Sequence, residues 1–229
     1  MAGKIEKGDF ILLDYVGRIK ETGKVFDLTS EEQARQENVF DPQGSYGPRT
    51  VIIGAGHLIK GLEDALIGSK VGGSMTVELP PDQAFGARDP KRRKLVPMRE
   101  FKKQRINPYP GMSVHLNNDS GVVATVSGGR VVVDFNHPLA GKTLVYEVDV
   151  RDKVKKEEEM VQSVLKINLD LPVEDFNVTV GKKDVSIIVP EEPSVFPRSY
   201  KQKIATEIME YVKKDEVRFL DVFRKSNNK

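Results

Sequence analysis

Across residues 1–86 one buried-helix pattern stands among short strand-type runs, which restricts the region to a sheet wrapped on a helix. Leu58, Ile59, Leu62, Ala65 and Leu66 recur at helical spacing, and Gly68 supplies the stop. Phe10 to Ile19 is rich in strand formers, and an extended Val25-Phe26 follows the turn Glu21-Thr22-Gly23-Lys24, together a hairpin. Thr50 to Ile53 is a short strand, and Ser74 to Leu79 alternates until Pro80-Pro81. Leu139 to Val150 holds another strand, with Leu144, Tyr146 and Val148 on one face. A short helix-like stretch begins at Thr29, placed to cap it, with Glu32 closing a capping box.

The charge pattern marks an interruption. Residues 1–86 are net acidic, whereas residues 87–105 carry nine basic and two acidic residues, with the basic run Lys91 to Lys94 just after the Pro-rich passage Leu79 to Pro90. Such an island is either a solvated loop or an attraction site for nucleic acid, ribosome or acidic polypeptide. Beyond it, Met112 to Leu116, Gly121 to Val126 and Arg130 to Phe135 are β-type runs separated by Asn117-Asn118-Asp119 and Ser127-Gly128-Gly129 turns. From residue 153 the order changes to a helix at Glu157 to Ile167, a hairpin at Phe176 to Val180 and Val185 to Val189, an amphipathic helix at Tyr200 to Lys213, and a strand at Glu216 to Arg224. That α-β-β-α-β order reads as a self-sufficient domain. The expected fold is α+β in three parts: 1–86 with 139–152, an inserted β-rich domain at 87–138, and a C-terminal α+β domain at 153–229.

Composition removes several chemistries. The chain has no cysteine, so thiolate catalysis, disulfides and Cys-based zinc sites are excluded. There is no Gly-x-Ser-x-Gly. Gly54-Ala55-Gly56 precedes a helix but lacks the Lys-Ser/Thr ending and the glycine spacing of phosphate loops. His57, His115 and His137 form no metal-ligand spacing and are expected in loops or on the surface, so neither metal nor cofactor is implied. Glu63-Asp64 is expected as an ordinary exposed helix pair. No run of signal-peptide or membrane-span length occurs, and the expected compartment is the cytoplasm. What remains is an apolar and aromatic set: Tyr15, Phe26, Leu58, Ile59, Leu62, Phe85 and Tyr146, with the carboxylate of Asp27 directly after Phe26. Taken alone, this set describes a hydrophobic core more readily than a pocket.

The stretch Gly56-His57-Leu58-Ile59-Lys60-Gly61-Leu62-Glu63-Asp64-Ala65-Leu66, followed by Val71-Gly72-Gly73, resembles the signature of FKBP-type peptidyl-prolyl cis-trans isomerases. Asp14-Tyr15, Val25-Phe26-Asp27, Leu79-Pro80-Pro81, Ala84-Phe85-Gly86 and Leu144-Val145-Tyr146 fall in that family's order. Val131 through Lys142 is similar to the SlyD-like subgroup, whose flap carries an inserted chaperone domain, and the C-terminal extension resembles the long archaeal members. The resemblance implies an antiparallel sheet wrapped on one helix, acting on X-Pro bonds of unfolded polypeptides. It places Tyr15, Phe26, Leu62, Phe85 and Tyr146 as walls of a proline pocket beside Leu58. The Ile59 N–H would hold a substrate carbonyl, and Asp27 would lie beside the rotating amide. FK506- or rapamycin-type ligands would enter the same pocket.

Two departures stand out: many members carry a hydrogen-bonding Tyr where this chain has Phe85, and a Trp floor where it has Leu62. One missing neutral hydrogen bond is worth about 0.5–1.5 kcal/mol, which retunes a site without abolishing it. For the insert, Leu95, Val96, Met98, Phe101, Ile106, Met112 and Val132 are candidate contacts to unfolded chains, or the core of the insert itself. Two other readings stay open: a chaperone with a weak or vestigial pocket, and a nucleic-acid or ribosome adaptor through 88–105. The C-terminal domain could serve homodimerisation or extra client binding.

Overall fold

The computed structural model describes residues 3–116, 119–169, 176–189 and 197–222. In chain order the elements are β1 (Phe10–Ile19), β2 (Val25–Leu28), α1 (Glu31–Gln36), β3 (Arg49–Ile52), α2 (Lys60–Leu66), β4 (Ser74–Leu79), β5 (Arg93–Pro97), α3 (Met98–Lys103), β6 (Ser113–Leu116), β7 (Asp119–Ser127), β8 (Arg130–Asp134), β9 (Leu144–Val154), α4 (Glu157–Asn168), β10 (Asn177–Val180), β11 (Asp184–Val189), α5 (Arg198–Glu207) and β12 (Glu216–Asp221). They form two compact units, one of residues 1–18, 25–77 and 145–229, the other of residues 19–24 and 78–144.

In the first unit the sheet order is β2-β1-β9-β4, with β3 pairing antiparallel to β1. Helix α2 turns Leu62 and Leu66 inward, both almost completely buried. It stops where Gly68 takes a φ of 83°, open to glycine at no steric cost. The predicted Thr29 cap is corrected: Ser30 caps α1, its hydroxyl accepting the Gln33 N–H. Thr29 is instead buried. Its Oγ1 accepts the Tyr15 N–H and donates to Asp14, so the β1–β2 pairing claims it before the helix can.

The C-terminal elements share a core with this sheet. Phe10 and Ile52, directly paired across β1 and β3, cluster with Val161, Val164 and Leu165 of α4 and with Ile204 and Ile208. Strands β10-β11-β12 form their own sheet, antiparallel at β10–β11 as the hairpin pattern predicts. Strand β12 pairs parallel to β11, an arrangement that requires a long crossover, supplied by α5. The expected helix to Lys213 loosens into a π-helical turn at Ile208–Val212 and ends on Lys213 at a φ of 62°. The Asn117-Asn118 turn and Phe223, at the end of the predicted last strand, lie outside the described residues.

That ending drives the Lys214 side chain inward to 2% exposure, where Nζ donates to Glu157 Oε2 at 2.8 Å and to the Gly181 carbonyl at 2.9 Å. Lys214→Ala is expected to destabilise the protein by about 1.5–3 kcal/mol, because it removes the hydrogen bonds of a charged ammonium to Glu157 and to the Gly181 carbonyl. Urea denaturation checks this; an unchanged midpoint would show that the ammonium contributes nothing net.

The second unit is a four-stranded sheet, β5-β8-β7-β6, covered by α3. Sequence periodicity identifies three of its strands and misses β5 and α3, where Lys and Arg dilute the apolar spacing. Its base is tied by Arg88, whose Nε donates to Asp134 Oδ2 at 3.0 Å, and by Asn136, which bonds both Asp134 and Asp89. Burial would raise the Asp134 carboxyl, but Arg88 and Asn136 hold it down at about 2. Nearby, Gly141 N–H donates to Gly86 O at 2.8 Å.

Candidate active site

Strand β2 opposes β1 with a bulge: Gly17 pairs with Asp27 and Arg18 with Val25, so Phe26 has no partner of its own. A bulge re-aims side chains that strict alternation would send to opposite faces. Here it lets two consecutive residues serve one cluster. The Phe26 ring meets Tyr146 edge-on at 5.6 Å, and Tyr146 meets Tyr15 at 5.9 Å. Asp27 Oδ2 accepts the Tyr15 hydroxyl at 2.8 Å. Gly17 makes room, since a Cβ there would stand 2.7 Å from Phe26 Cζ and 3.0 Å from Tyr146 Cε1.

Sequence reasoning missed Arg49. Its Nη1 donates to the Tyr15 oxygen at 2.9 Å and lies 4.0 Å from Asp27 Oδ1. Tyr15 therefore donates to a carboxylate and accepts from a guanidinium. Burial first, then the Asp27 charge, push the Tyr15 hydroxyl well above the usual phenol range, against the opposing pull of Arg49. Tyr146 is raised in the same way by burial and then Asp27. Both phenols stay protonated at neutral pH. No sequence motif singles out Arg49; only the β1–β3 pairing brings it to Tyr15.

Leu58 and Ile59 immediately precede α2, half-buried, while Leu62 lies inside it. Ile59 occupies the N-cap position, and among the described residues its N–H has no acceptor. His57 lies in this loop as expected, though largely buried: its side chain is 12% exposed, and its Nδ1 accepts the Ile52 N–H. One expectation is corrected. Glu63 is not an exposed helix residue: it is buried, and Oε1 accepts the Gly56 N–H at 3.2 Å.

Phe85 belongs to the second unit, where its ring stacks flat on His137 at 4.1 Å and 3°. His115, on the exposed face of β6, bonds Ser120. Of the insert residues, Phe101 is completely buried, so it is a core residue and not a surface contact. Val96, Met98, Ile106 and Met112 pack partly exposed against the same core. Leu95 stands 56% exposed and pairs with the half-buried Val132 across β5 and β8, on the face away from the core. Among the described residues no three His, Asp or Glu side chains converge as a metal site requires, and no helix is long and apolar enough to cross a membrane.

A family model described as the IF domain of FKBP26 matches residues 94–139. A short-type peptidyl-prolyl cis-trans isomerase of Methanocaldococcus jannaschii is 36% identical over 159 residues, covering 69% of this chain and 100% of that one. A probable FKBP-type 16 kDa peptidyl-prolyl cis-trans isomerase of Pseudomonas fluorescens is 34% identical, covering 60% and 91%. The FKBP-type isomerase SlyD of Helicobacter pylori is 35% identical, covering 49% and 63%.

Proposed function

The chain belongs to the FKBP-type peptidyl-prolyl cis-trans isomerases, and from that premise we propose that it is a cytoplasmic folding helper whose proline pocket is the Tyr15–Phe26–Tyr146 cluster. Rotation about a peptide bond faces a barrier of about 18–20 kcal/mol because it breaks amide resonance. X-Pro bonds populate both isomers and exchange over tens to hundreds of seconds. A twisted amide has lost conjugation and is less charge-separated than the planar form. Transfer from water to an apolar, aromatic-walled site therefore favours the twisted state relative to the planar one, and differential binding of that state is catalysis. No nucleophile is required. The Ile59 N–H, free of any acceptor among the described residues, is suited to a substrate carbonyl.

The single observation that carries this reading is the cluster itself: three rings around one carboxylate, with Tyr15 held between Asp27 and Arg49. FK506- or rapamycin-type ligands would use the same walls, with Leu62 altering their fit. The test is the cis-to-trans rate of a short Leu-Pro peptide with catalytic amounts of protein. Acceleration is the expected result. An unaccelerated rate would leave the second reading, a chaperone that keeps the pocket only as a proline grip, which Phe85 favours by lacking a hydroxyl.

The insert, on this reading, holds unfolded chains. Leu95 and Val132 offer apolar surface. Beside the insert's core a cavity of about 270 Å³, floored by Val96, Leu116 and Phe135 and rimmed by Lys94, Glu100 and Asp119, could take a client side chain.

A further inference from the structure

His57 is where the C-terminal elements reach the loop before α2. Because Nδ1 accepts the Ile52 N–H at 3.1 Å, the neutral ring carries its proton on Nε2. Nε2 is buried with no hydrogen-bond partner among the described residues, and Glu207 Oε1 of α5 stands 3.7 Å away. That exceeds a hydrogen bond, yet the two side chains are only 12% and 13% exposed, leaving little water to compete. Glu207 is aimed from behind by Asn168, whose Nδ2 donates to Oε2 at 2.7 Å. Burial would raise the Glu207 carboxyl, but His57 and Asn168, with Lys203 beyond them, hold it below the usual carboxylate range. A carboxylate thus faces the Nε2–H edge of the ring.

The same loop is gripped at a second point, since Ala55 packs against the core built by α4, α5 and β11. Two residues past His57 lies Ile59, whose carbonyl accepts the Leu62 and Glu63 N–H groups while its own N–H finds no acceptor among the described residues. We infer that Glu207 and His57 are positioning residues for the isomerase site, through which the C-terminal segment sets the direction of the Ile59 N–H. This rests on the reading that Ile59 receives the substrate carbonyl. Donors act within about 2.7–3.1 Å of the oxygen they stabilise, and a misplacement of about 1 Å can cost roughly a hundredfold. A partial tilt of the loop is a several-fold effect.

The test is a double-mutant cycle in the full-length chain, read as kcat/KM on the Leu-Pro peptide together with the Ile59 amide resonance. Glu207→Leu is expected to lower kcat/KM about three- to tenfold and to move the Ile59 amide, but to do neither in a His57→Ala background. Glu207→Gln, which keeps an oxygen facing Nε2–H but gives up the charge, is expected to fall between wild type and Glu207→Leu. Should Glu207→Leu fail to fold, Asn168→Ala releases Glu207 without touching the loop and must lower kcat/KM in the same direction. Equal losses in both backgrounds, or none in either, would overturn the inference while leaving the isomerase reading intact. An inactive wild type would sink both.

Discussion

Asp27→Ala is expected to cut kcat/KM for a Leu-Pro peptide by about ten- to a hundredfold while the protein stays folded. The carboxylate accepts the Tyr15 hydroxyl and stands beside Arg49, so its loss removes a charge-assisted hydrogen bond and leaves a guanidinium facing the pocket unopposed. Hydrogen bonds to charged groups are worth about 1.5–3 kcal/mol, and each 1.4 kcal/mol is tenfold. The carboxylate is about two-fifths exposed, so the cost falls on catalysis more than on stability. Tyr15→Phe separates two routes. It keeps the ring against Tyr146 but gives up the hydroxyl. If Asp27 acts only by orienting Tyr15, both variants lose equally. If Asp27 acts on the rotating amide directly, Tyr15→Phe loses less. An Asp27→Ala rate equal to wild type would remove this cluster from the mechanism.

Removing the insert should dissociate two activities. Gly141 N–H donates to Gly86 O at 2.8 Å, so the chain runs close together just outside the proposed insert. A deletion of 88–136 keeps both Phe85 and His137, whose rings stack, and a short turn joins 87 to 137. Catalysis on a short peptide is expected to remain within a few-fold of wild type. Catalysed refolding of a proline-limited protein is expected to slow by roughly a hundredfold, because on the proposed function a holding surface in the insert would raise the effective concentration of the X-Pro bond. A Leu95→Ser variant with the insert intact should fall between the two, since Leu95 carries the largest exposed apolar surface among the insert candidates. Refolding catalysis that survives the deletion would show that the pocket finds its substrate unaided.

The local pattern made much of this legible. Helix α2 and its stop at Gly68 are written in periodicity, and β1, β4, β9, α4, β10 and β11 lie where alternation and turn residues put them. Where charge dilutes the apolar spacing, as at Arg93 to Lys103, the pattern fails and a strand and a helix go unseen. Residues with two possible partners are ambiguous for the same reason. Thr29 and Ser30 are both competent caps, and only the strand pairing of Tyr15 decides between them.

By itself the sequence determined the element order, the absence of thiol chemistry, and, through motif resemblance, which aromatic residues and which carboxylate to suspect. These depend on residue identity and short spacings, which a linear reading contains. The tertiary structure alone decided that a bulge turns Phe26 and Asp27 to one cluster, that Arg49 arrives 34 residues from Tyr15, that Phe85 lies flat on His137, and that Phe101 is sealed inside the insert. It alone decided that Glu207 stands against His57. Each of these is set by strand register or by packing between distant segments, where a shift of one residue reverses which face a side chain occupies.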